Sequence, residues 1–180
     1  MRHTLAYLTI LLVFMMSVKL YSQEAKPKQY SDQQLMEAAK KIIADAGTSA
    51  LITLDSEGIP RARAMDGFAP EDDLTIWFGT NSRSRKVTQI KNDPRVSIYY
   101  IDSDASGYVL IHGIAQLVND SVSKEKYWRD AWDIYYPDIT NDYLLIKVVP
   151  VWMEVLSDAY GIANDPITWE PPRVVFQATD

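Results

Sequence analysis

The stretch Trp77 to Ile90, WFGTNSRSRKVTQI, opens as an apolar strand-like run, breaks at Gly79 into Thr80, Asn81 and Ser82, and then presents Arg83, Arg85 and Lys86. A strand ending at Gly79, a turn through the small polar residues and a helix opening near Ser84 would aim backbone N–H groups and a positive helix end at one anion. Arg85 and Lys86 would add charge-assisted hydrogen bonds to its oxygens. A basic first turn opposes the helix dipole. A negative group is therefore expected at that end, a phosphate monoester being the natural fit; an ordinary capped helix with solvated basic residues is the other reading.

Working outward, the chain changes period. From Ser31 to Gly47 it carries helix signals, with Ser31 and Gln34 as a capping box, Gly47 as a stop, and Leu35, Ala38, Ala39, Ile42, Ile43 and Ala46 at helical spacing. Then Ser49 to Asp55, Ile59 to Phe68, Leu74 to Gly79 and Arg95 to Asp102 alternate with period two between turn signals, and Tyr108 to Val118 follows with Gly113 as a bend or bulge. Ser121 to Tyr136 reads as a second amphipathic helix, with Trp128, Ala131, Trp132 and Tyr135 on one face. Tyr143 to Val149 and Val151 to Ser157 read as two strands broken at Pro150. Six or so strands joined by short hairpins, with one helix before and one inserted late, predict a mainly β, α+β architecture: an antiparallel six-stranded split barrel with flanking helices, not a doubly wound sheet. The proline-rich tail from Asn164 shows no clear period.

Along Ile59 to Phe68, alternation places Arg61, Arg63 and Met65 on one face. Two arginines on one strand face repel unless an anion or carboxylates lie between them. Either acids of the Glu71 to Asp73 turn neutralise them, or Arg63 converges on the same anion as Arg85 and Lys86.

Residues Met1 to Ser22 read as a secretory signal peptide, with Arg2 ahead of an apolar run from Leu5 to Val18. That run is short of the ~20 residues a bilayer span needs. The expectation is cleavage near Ser22, a periplasmic or secreted product, a linker over 23–30, one domain over 31–160 and a tail over 161–180. Losing Arg2 and Lys19 would take the net charge from −6 to about −8. So acidic a chain is a poor partner for nucleic acid, and its basic residues mark a local anion site. The chain contains no cysteine, which excludes disulfides, thiolate chemistry and zinc-cysteine sites. Asp102 to Gly107 begins like a calcium loop, but its twelfth position is Gly113 instead of glutamate, so it reads as a polar hairpin turn. His112 stands without the partners a metal site or triad requires. Neither a nucleophile elbow nor a dinucleotide glycine loop is present in the sequence.

Three segments together, Gly58 to Met65 (GIPRARAM), Trp77 to Ile90 and Asn92 to Ser97 (NDPRVS), resemble the pyridoxamine 5'-phosphate oxidase-like family, nearest its general stress protein branch. The resemblance runs from about Leu35 to Leu156. It implies an FMN-binding split barrel, usually a homodimer with flavin at the subunit interface; the residues themselves leave FMN and FAD both open. By position, Arg63, Arg85 and Lys86 would hold the phosphate, with Thr80 and Ser84 as hydroxyl donors beside Gly79. Ala64 and Met65 would line the isoalloxazine ring through their backbone. Tyr108 takes a position where the oxidases carry a glutamine near the ring, and Phe68 stands where they carry a substrate lysine. Their late arginine-x-histidine pair is also missing, the tail offering Arg173-Val174-Val175. The resemblance thus implies flavin binding and a flavin-dependent oxidoreductase of unassigned substrate, without pyridoxine-phosphate oxidation. A non-catalytic carrier of flavin or of another cofactor such as haem is the alternative.

Overall fold

Ser31 caps the first helix, α1 (Asp32–Ala46): its hydroxyl accepts from Gln34 N–H at 3.2 Å, and the Gln34 side chain accepts from Ser31 N–H at 2.9 Å. Gly47, at φ 65°, lets the chain turn out of the helix. These features belong to a computed structural model that describes residues 29–177; the segment read as a signal peptide lies outside the described residues. The buried stripe of α1 (Leu35, Ala38, Ala39, Ile42 and Ile43) packs against the sheet that follows.

That sheet is antiparallel and contains β1 (Ser49–Leu54), β2 (Pro60–Met65), β3 (Ile76–Asn81), β4 (Arg95–Ile101), β5 (Gly107–Val118), β6 (Tyr143–Ser157) and β7 (Arg173–Val175). Its order is β2-β1-β4-β5-β6-β3, with β7 pairing on β6. Alternation along β1, β4 and β5 sends Leu51, Ile98, Val109 and Ile111 inward, all fully buried. The two ends of the path meet where Gly67 bridges to Phe78 and Phe68 N–H donates to the Trp77 carbonyl at 2.9 Å. The sheet therefore closes into a barrel along a narrow seam, the expected split-barrel architecture. Helix α2 (Arg85–Asn92) follows β3 and packs on β1 and β5.

Three expectations change. Pro150 does not divide β6; it sits opposite Gly113, where the β5–β6 register slips between His112 and Gly113 and Val151 is the extra residue. A bulge needs one N–H fewer, so the strand continues through the proline. The late helix stops at Lys126: α3 (Ser121–Lys126) is followed by a short 3-10 turn, Asp130–Trp132. Continuous helix would align Trp128, Ala131, Trp132 and Tyr135, yet Trp128 and Trp132 both pack on Tyr143 while Tyr135 is left exposed. Burying those two indoles on the barrel outweighs the helical hydrogen bonds. The tail, for which the missing period suggests loose packing, instead contributes a core residue, since Val174 of β7 is buried under α1.

At Gly113 an added Cβ would lie 2.6 Å from the Val149 carbonyl oxygen, a backbone atom of the paired strand. Gly113→Ala should therefore cost about 2 kcal/mol, the scale of an overpacked core, read as a lower urea midpoint. An unchanged midpoint would mean that the bulge can open by itself.

Candidate functional site

Where the barrel ends meet, β2 brings Arg63 beside β1 and α2. Arg63 Nη1 donates to the Leu51 carbonyl at 3.2 Å and the Thr53 hydroxyl at 2.7 Å, and Nη2 donates to Gln89 Oε1 at 2.8 Å. Strand β3 contributes buried Thr80, and the turn after it Ser84, their hydroxyls 3.2 Å apart. Lys86 Nζ, in the first turn of α2, donates to Thr80 Oγ1 at 3.0 Å. Ser84 is the N-cap of α2 but makes no side-chain cap bond, and no acid lies in the first turn. The positive end of the helix is therefore reinforced by basic residues instead of being balanced.

The basic residues of these two segments separate into two sets. Arg61 pairs with Asp55 at 2.7 Å and Arg83 with Asp142 at 3.0 Å. Arg63, Arg85 and Lys86 have no carboxylate within ion-pair distance among the described residues. Burial, with Arg63 nearby, pushes the Lys86 ammonium below its ordinary pKa; burial, with Arg85 nearby, does the same to Arg63. Three cations drawn together at the cost of mutual repulsion could hold an anion, and the flanking hydroxyls could donate to the oxygens of a phosphate.

Of the residues picked out by the sequence, Arg63, Thr80, Ser84 and Lys86 come together, with Arg85 exposed at the rim. Ala64 is exposed on β2, the edge strand, whereas Met65 turns into the core and its carbonyl accepts from Ser49 at 3.2 Å. Gly79 serves packing: an added Cβ would lie 2.5 Å from the Trp132 ring and 2.7 Å from that of Tyr143. Tyr108 does not join the basic cluster within one chain. It lies on β5, stacked on Tyr99 with ring centroids 5.4 Å apart. Phe68 packs edge-on to Tyr127 and Trp132. Sequence reasoning missed Thr53 and Gln89. The available signal was spacing, since Gln89 lies three and four residues beyond Lys86 and Arg85, on the same helical face.

Residues 34–155 match the family model described as pyridoxamine 5'-phosphate oxidase like. A curated relative, general stress protein 26 of Bacillus subtilis (strain 168), is 29% identical over 93 residues, 50% of this chain and 65% of the relative, so the match spans just under two thirds of that protein's length. The solved general stress protein 26 of Bacillus anthracis str. Sterne superposes with a TM-score of 0.63 at 25% identity, covering 79% of this chain and 99% of that one. The fold is shared at 17% identity with an FMN binding protein of Nostoc punctiforme (TM-score 0.58; 79% and 93% covered). It is shared at 20% identity with a heme binding protein of Mycobacterium smegmatis (TM-score 0.56; 72% and 55% covered).

Because Lys86 is repelled and desolvated where it stands, Lys86→Met should stabilise the ligand-free barrel, raising Tm by about 2–4 °C, while abolishing any further rise on adding phosphate. A lower Tm would show that the Lys86–Thr80 bond outweighs the repulsion.

Proposed function

The chain belongs to the pyridoxamine 5'-phosphate oxidase-like family, and on that premise we propose that it is an exported, homodimeric FMN-dependent oxidoreductase. The observation that carries the cofactor assignment is the trio Arg63, Arg85 and Lys86, set around two hydroxyls without a carboxylate among the described residues. This donor set suits a phosphate dianion. Lys86 and Arg85 would neutralise it from the helix side and Arg63 from the strand side, with Thr80 and Ser84 donating between them. Bound flavin would supply the redox chemistry by taking up a hydride or electrons at its ring. The free edge of β2, where Ala64 is exposed, offers unpaired backbone groups to the polar rim of that ring. Phe68, held among aromatic rings, gives no cation to a second phosphate, which is consistent with a substrate other than pyridoxine phosphate.

The dimer is proposed from the outer face of the sheet. Ile52, Tyr99, Leu110, His112 and Trp152 alternate with core residues, so in a solitary barrel this face would be polar. Beside Ser97 and Glu154 it is instead largely apolar and aromatic, His112 stacking on Trp152 at 5.3 Å and Tyr99 on Tyr108. A second copy would cover it.

The test is the visible spectrum of the mature protein after FMN is added and the excess removed. Bands near about 370 and 450 nm are expected from a bound oxidised flavin; a colourless protein would remove the assignment. Affinity should rise with pH through about 6 as the phosphate loses its second proton. It should fall again in alkali below the ordinary lysine pKa of 10.5, because Lys86 is already shifted down. Light scattering with intact mass should report a dimer of chains beginning near Gln23, and Leu110→Arg should yield monomers; a monomeric wild type would refute the dimer. Steady reduction by a nicotinamide donor, with reoxidation, would separate an oxidoreductase from a carrier.

A further inference from the structure

Arg63 is held by oxygens that carry no formal charge: the Leu51 carbonyl, the Thr53 hydroxyl and the Gln89 carboxamide. The same Gln89 oxygen accepts from Thr53 Oγ1 at 2.6 Å, so Thr53, Gln89 and Arg63 close a ring of three hydrogen bonds. Taking two donors fixes which end of the amide faces the arginine, since an amide NH2 could accept neither. A glutamate at 89 could accept the same two bonds and make them stronger. It would also set a negative charge against the guanidinium and repel a dianion. The choice of amide over acid therefore separates two tasks that a carboxylate would merge, which are orienting Arg63 and leaving its charge uncompensated.

We propose that Gln89 is a positioning and specificity-determining residue, which orients Arg63 for a phosphate monoester while preserving its full positive charge, so that the site selects phosphorylated flavin over its unphosphorylated form. The inference rests on the flavin reading above and deepens it. Gln89 touches Arg63 and Thr53 and acts on the ligand only through Arg63. Unlike the basic residues, it sets the charge of the site by what it lacks. Its helix position, one turn after Arg85, keeps it on the same face of α2 as Arg85 and Lys86, turned toward Arg63 on β2.

The experiment compares wild type, Gln89→Glu and Gln89→Met as mature proteins, titrating FMN, riboflavin and inorganic phosphate, the last by thermal shift. Gln89→Glu should fold with Arg63 ion-paired, lose about tenfold or more in FMN affinity, keep riboflavin affinity, and show no protection by phosphate. Gln89→Met, which removes the acceptor but adds no charge, should lose less FMN affinity than the glutamate variant. A purely structural role would instead weaken both flavins alike, and that result, or wild-type FMN affinity in Gln89→Glu, would overturn the proposal. Phosphate protection of the wild type without FMN binding would sink the flavin reading, yet loss of that protection in Gln89→Glu would still support the role given to Gln89.

Discussion

A single backbone bridge, Gly67 to Phe78, holds together the two ends of the strand path, and the rest of the site follows from it. Without that seam β2 and β3 would be the two edges of an open sheet, five places apart in its order. With it, Arg63 from one edge and Thr80 from the other face the start of the same helix. The seam admits little side chain: a Cβ at Gly67 would lie 3.0 Å from the Phe78 ring. Closure is reinforced from outside, where Arg129 donates to the Gly67 carbonyl at 2.8 Å, pairs with Asp66 and lies over the rings of Phe68 and Trp132.

An acidic protein that concentrates three cations in one place, with no carboxylate partner among the described residues, gives up stability locally. The neighbouring basic residues show that pairing was available, because Arg61 and Arg83 both found aspartates. The contrast within a few residues of sequence separates charge neutralised by a carboxylate from charge left without one among the described residues. Neutral acceptors complete the arrangement: they satisfy donors of Arg63, which would be costly to leave buried and unbonded, without cancelling its field.

Much of this was legible in the sequence because it depends on local rules. The capping box of α1, the alternation of β1, β4 and β5, and the turn from β3 into α2 are each decided by residues within a few positions of one another. What escaped depends on distant partners. Pro150 reads as a break until Gly113 is placed opposite it, and the helix from Ser121 reads as continuous until Gly79 opens a recess for Trp132. Thr53 and Gln89 are unremarkable where they stand in the chain, and only the folded barrel brings both onto Arg63. Tyr108, assigned by resemblance to the ring of the cofactor and not to its phosphate, stands on β5, with two strands between it and β2.

The strand order also governs when the site can come into being. Every side chain of the cluster lies between Thr53 and Gln89, so all of them have been synthesised by mid-chain. Yet Thr80 belongs to a strand whose long partner is β6, where it sits opposite Leu144, and β1 is seated by β4. Contacts so distant in sequence form slowly, since the loop must close before they repay its entropy. A nascent chain therefore carries the side chains of this cluster through much of synthesis without a scaffold to hold them together. The cluster assembles with the docking of the last long strand.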